Sequence, residues 1–183
     1  MGLNWVDLFM ACIIAGILYI GRENDFFSEV FKLIGVYFAT IIAIHYYVPV
    51  GRFVAVKWLV PNIIQEVFAF VLLSLLVITL FHFVREGWMI LLKVEGLAFL
   101  DHWGKWVLTV VRVYLICGLT FLALLMTGHR AIAYKARSSL SSKLFLYTSI
   151  YLYKSFFLDF VYKVLPDEPL NEKVLELLPA EEN

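Results

Sequence analysis

Apolar residues gather along the chain in long runs bounded by charged residues, Pro or Gly, and four of these runs suit membrane-crossing helices. The first covers residues 3–20 and is broken only by Asn4 and Asp7; at ~1.5 Å per residue it just spans a hydrocarbon core of ~30 Å. A polar turn, Gly21-Arg22-Glu23-Asn24-Asp25, leads to the second run, 26–48, with Pro49 and Gly51 marking its end. The third, 63–84, is apolar all round and predicts the most lipid-exposed helix. The fourth, 106–127, is approached through Asp101 and Lys105 and carries Arg112 inside it.

Two further stretches are apolar without being plain spans. Residues 87–100 are too few to cross and are interrupted by Lys93, Glu95 and Gly96, which predicts an interfacial or re-entrant helix. Residues 138–165 are rich in Tyr and Phe but carry Lys154, Asp159 and Lys163, which predicts an interfacial amphipathic helix; a fifth span and an oligomer contact are the alternatives. Pro166 stops that helix, and 166–183 form a polar tail whose Leu170, Val174, Leu175 and Leu178 suit a short terminal helix. The pattern therefore predicts an all-α polytopic integral membrane protein. It has about four transmembrane helices plus an interfacial or re-entrant helix and a C-terminal amphipathic helix, in one membrane domain over residues 1–165.

The polar positions within these runs are the candidate functional residues. On a helix turning ~100° per residue, Asp101 and Arg112 share a face about 16 Å apart along the axis, with Lys105, Leu108 and Thr109 on the same strip. A charge at the depth of Arg112 is costly in hydrocarbon, so it should face protein or water, or snorkel to the surface. Asp7 lies near one face with Ala11, Ala15 and Leu18, where small residues allow a neighbouring helix to approach. Asp25, Glu29, Lys32, Val36, Ala39 and Ala43 recur at helical spacing, a stripe that suits packing against the helix of Asp7. The plainer alternatives are that Asp7 caps its helix and that Glu29 and Lys32 form a solvated i,i+3 pair.

Composition removes other classes. Of 183 residues, 62% are hydrophobic and 16% charged, too little polar material to cover a soluble domain. Fifteen basic and fifteen acidic residues give a formal net charge of +0, which leaves no electrostatic case for nucleic acid. Cys12 and Cys117 fall in apolar segments and read as small buried hydrophobes. The N-terminal run lacks the basic flank of a cleaved signal peptide and is expected to stay as the first span. Arg130, Lys135, Arg137 and Lys143 favour an N-in, C-in orientation, against Arg22, Arg85, Lys93 and Lys105.

The four histidines, His45, His82, His102 and His129, are not spaced as metal ligands, and no nucleophile elbow, Walker loop or dinucleotide fingerprint is present. No cofactor is therefore expected. An intramembrane protease would have only Asp7 and Asp101 for its two aspartates, each near a membrane surface. The charges Asp7, Glu29, Asp101, Lys105 and Arg112 are instead expected to fix helix packing or to line a water-filled path.

Asn4-Trp5-Val6-Asp7, then Gly21-Arg22 with Phe26-Phe27-Ser28-Glu29-Val30 and Leu33-Ile34-Gly35, then Asp101 followed eleven residues on by Arg112, resemble in order the motifs of the colicin V production (CvpA) family. The resemblance runs from Asn4 to about Ser155. This chain departs from the pattern at Asn24-Asp25, where Arg-Gly is usual, and at His102, Lys105, Thr109 and Val113, where the third motif has an Arg and glycines. Bulk at those glycine positions puts close helix packing there in question. The resemblance implies a multi-pass inner-membrane protein linked to colicin V production or export and to envelope function, and it does not imply an enzyme. The expected partners are the lipid bilayer, further copies of the chain, and export or envelope proteins. The alternative is a homo-oligomeric channel or transporter component with the charged helix face lining its path.

Overall fold

The computed structural model describes residues 4–58, 64–91, 103–127, 129–164 and 170–175, and among these all regular structure is helical. The helices are α1 (Trp5–Gly21), α2 (Phe26–Trp58), α3 (Gln65–Leu91), α4 (Lys105–Met126), α5 (Arg130–Arg137), α6 (Leu140–Phe156), α7 (Tyr162–Val164) and α8 (Glu172–Leu175). A π-helical turn, Phe157–Val161, joins α6 to α7. In α2, α3 and α4 the segments Phe26–Lys57, Gln65–Trp88 and Lys105–Met126 are long and apolar enough to cross a membrane, and α1 is a shorter apolar helix. The protein is an all-α polytopic membrane protein.

Local chemistry sets the start of α1. Asn4 Oδ1 accepts from the Val6 N–H at 2.7 Å while Asp7 Oδ2 accepts from the Asn4 N–H at 3.1 Å, a reciprocal capping box. At the other end Lys105 Nζ donates to the Arg22 carbonyl at 3.1 Å, placing a cation against the negative end of the α1 dipole.

Helix α2 does not stop at Pro49; it continues through Gly51 to Trp58. Proline has no N–H, so the carbonyl four residues earlier, that of His45, loses its helical donor. Asn171 comes from the tail to this gap: its Nδ2 donates to the Ile44 carbonyl at 2.8 Å and lies 3.5 Å from the His45 carbonyl. Its backbone N–H donates to Tyr153 Oη at 3.1 Å, and that hydroxyl lies 3.0 Å from His45 Nδ1. Residues 170–175 are thus docked, with a short helix over Glu172–Leu175, Val174 fully buried and Lys173 Nζ 3.0 Å from Glu66 Oε1. Asn171→Leu is expected to release this segment, costing about 1–2 kcal/mol. Hydrogen exchange should show faster exchange in 170–175 and in α2 around Pro49; unchanged protection there would refute the role of Asn171.

Helix α3 likewise runs on through Arg85-Glu86-Gly87 to Leu91. A lone Gly costs a helix only about 1 kcal/mol against Ala, and no Pro follows to break it. The interfacial segment expected over 87–100 therefore begins as the last turn of α3, and its remainder lies outside the described residues.

Helices α2 and α3 form a long antiparallel hairpin, read from the ring pairs Phe31–Trp88, Phe38–Phe81 and Tyr47–Phe70. Only 22% of the most apolar window of α3 is buried, against 50% for α2 and α4, so α3 is the least enclosed of these three helices. The stripe of α2 is buried at Val36, Ala39 and Ala43, but its main partners are α3 and α4. Helix α1 packs on α4, with no comparable contact to α2, which corrects the expected pairing of the first two spans.

Helix α6 lies against α4 and α2, with Phe145, Ser149, Ile150 and Tyr153 buried and Phe157 continuing the row. The Phe145 ring meets Tyr114 at 4.8 Å and Phe121 at 6.2 Å between centroids, so this helix is seated on the middle of α4. The stretch expected at the membrane interface packs on the bundle through one inner row of small and aromatic residues. Lys154 and Asp159 lie on its exposed side. Cys117 is buried, whereas Cys12 is exposed on α1, contrary to its expected burial.

Candidate functional site

The polar centre of the bundle is Glu29. Its carboxylate sits in the first turn of α2, fully buried, because the turn after α1 starts α2 beside the beginning of α4. Arg112 Nη1 lies 2.9 Å from each of its oxygens, and the Arg112 side chain is only 6% exposed. The charge that hydrocarbon would penalise is therefore paired inside the protein.

Two neutral donors complete the carboxylate. Asn24 Nδ2 donates to Glu29 Oε1 and, with its second proton, to the Ile20 carbonyl at 3.0 Å, bridging the last turn of α1 to α2. Thr109 Oγ1 lies 3.1 Å from Glu29 Oε2 and 2.8 Å from the Lys105 carbonyl, so its single proton is shared between two acceptors. Asn24 and Thr109 are both positions where this chain departs from the pattern it resembles, and both are used to hold Glu29. The bulk of Thr109 is accommodated by Gly21 across the helix contact: a Cβ at Gly21 would come within 2.6 Å of Thr109 Cγ2. Close approach of α1 and α4 is kept, with the small residue on α1.

Lys32 Nζ is 3.8 Å from Glu29 Oε1, beyond a hydrogen bond, and Arg85 comes in from the end of α3 with Nη1 donating to the buried Ser28 Oγ at 2.9 Å. Sequence reasoning did not bring Arg85 to this site. The signal was available in the antiparallel hairpin, which sets the end of α3 against the start of α2.

The predicted charges separate as follows. Glu29 and Arg112 meet; Lys105 is about two turns before Arg112 on α4, spent on the end of α1. Asp7 is at the opposite end of the bundle, because α1 runs antiparallel to α4. There, besides capping α1, it accepts from the Ser141 backbone N–H at 3.2 Å and from the Ser141 hydroxyl, tying α1 to the start of α6. Asp101 lies outside the described residues. Among the described residues no three His, Cys, Asp or Glu side chains gather as a metal site would require.

Long apolar helices enclosing a hydrogen-bonded ion pair, with side-chain ties between helices at both ends, define a polytopic α-helical membrane protein with a buried charge pair between two of its helices. The chain belongs to the colicin V production protein family, whose model matches residues 6–149, from α1 into α6. The docked segment 170–175 lies beyond that match. No curated protein and no solved structure matches the chain.

Proposed function

We propose that this protein is a non-enzymatic component of the bacterial inner membrane that supports colicin V production or secretion and envelope function. It does so as a homo-oligomer or with export and envelope proteins. The observation that carries the non-enzymatic part is the spending of Glu29 on Arg112, Asn24 and Thr109, which leaves the buried carboxylate no free lone pair directed at a substrate. Family membership supports the link to colicin V.

The test is complementation. In a colicin V-producing strain lacking its own family member, this chain is expected to restore extracellular toxin with total toxin unchanged. Arg112→Ala, expressed to an equal membrane level, is expected to fail. Restored synthesis without restored release would overturn the secretion role. Purified chain in liposomes is expected to leave the bilayer ion-tight; conductance whose selectivity shifts in Arg112→Ala would replace this function with that of a channel.

A further inference from the structure

Beside the Glu29 site lies a half-open cavity of about 360 Å³, within the range of roughly 300–1,000 Å³ typical of small-molecule sites. Its walls are mainly apolar, with Ile17 and Ile20 from α1, Val36 from α2, Ile78 from α3 and Ile116 from α4. Lys32, Arg85 and Arg112 line the same cavity, one cation from each of three helices.

Among the described residues no acidic side chain lines the cavity, although Asp25 lies near enough to attract the Lys32 ammonium. The buried carboxylate of Glu29 lies behind this lining, already engaged by Arg112 and 3.8 Å from Lys32. Lys32 stands outside hydrogen-bond distance of Glu29, and Arg85 Nη2 is 4.0 Å from the exposed Glu86 carboxylate. Arg112 Nε is buried with no hydrogen-bond partner among the described residues. An orphaned guanidinium N–H, an ammonium beyond hydrogen-bond reach of its nearest carboxylate and a guanidinium held by one neutral hydroxyl are costly in an apolar setting unless an anion supplies acceptors.

We propose that this cavity binds the phosphate of an anionic membrane lipid. Donors converging from three helices suit an anion with several acceptor oxygens, and Arg and Lys are the side chains used for phosphate. The apolar remainder of the cavity takes the first part of the lipid tail. Helices α1 and α3 form two of its walls and share no substantial contact, so the tail leaves between them into the bilayer.

The test is thermal unfolding of the full chain in non-ionic detergent, followed by tryptophan fluorescence. Dioleoylphosphatidylglycerol is expected to raise the melting temperature, whereas dioleoylphosphatidylcholine, with the same tails and a phosphate neutralised by choline, is not. In Lys32→Gln/Arg85→Gln, which leaves the Glu29–Arg112 pair intact, the phosphatidylglycerol concentration needed is expected to rise about tenfold. Helical circular dichroism of this variant matching the parent keeps the comparison free of misfolding. Equal stabilisation by both lipids, or an unchanged concentration dependence in the variant, would overturn the proposal. Stabilisation by inorganic phosphate alone to the same extent would overturn the lipid as ligand and assign the site to a free anion.

Discussion

Glu29→Ala is expected to destabilise the protein by about 3–5 kcal/mol, because it strands the Arg112 guanidinium in the bundle without its carboxylate. The cost exceeds that of one lost hydrogen bond, since Asn24 and Thr109 lose an acceptor as well. Arg112→Ala is expected to be of similar size, leaving a fully buried carboxylate with only neutral donors and a distant Lys32. Glu29→Met/Arg112→Met removes both charges and fills their volume, so it is expected to be less damaging than either single alanine variant. The exchange Glu29→Arg/Arg112→Glu is expected to rescue poorly, because Asn24 Nδ2 would then face a guanidinium. Denaturant unfolding in detergent, with membrane accumulation as a second readout, checks all four. Single and double variants that simply add would show that the two residues do not act as a pair.

Gly118→Val is expected to cost about 2–3 kcal/mol and to loosen α6 from α4. A Cβ there would overlap Ser149 Oγ and lie 2.9 Å from the Phe145 carbonyl, a backbone atom that cannot rotate aside. Gly118→Ala/Ser149→Gly is expected to recover part of the loss seen with Gly118→Ala, since it removes the hydroxyl but leaves the carbonyl in place. Gly16→Ala is the control, because nothing lies within 4 Å of its Cβ position and a helical Ala is favoured over Gly. Limited proteolysis between α4 and α6 should rise in Gly118→Val and not in Gly16→Ala. Equal protection in both would mean that the α4–α6 contact is not limiting.

These two predictions separate what is local from what is not. That residues 106–127 form an apolar helix, and that Arg112 inside it must find compensation, both follow from composition along a single helix and from the cost of a charge in hydrocarbon. The identity of the compensating acid does not. Asp7 and Glu29 are both acidic residues near the start of an apolar run with small residues beyond, and only the seating of α1 antiparallel to α4 sends Asp7 to the far end. Asn24 and Thr109 read as losses against a motif, yet in the fold they are donors to Glu29.

Pro49 and Gly118 show the same division. Proline removes a helical donor, and that local fact predicts an end to α2; the helix nonetheless runs on to Trp58, and Asn171, far along the chain, donates to the carbonyls beside the gap. Nothing in the residues around Gly118 distinguishes it from Gly16, since the difference is the presence of α6 against one of them. Hydrophobic runs, turn residues and the all-α membrane class were legible in order along the chain because helix hydrogen bonds join residues four apart. Which helices touch, which acid meets Arg112 and where the cations gather depend on contacts between residues far apart along the chain, such as Tyr47–Phe70, Ser28–Arg85 and Glu29–Arg112. Those contacts exist only once the helices have packed.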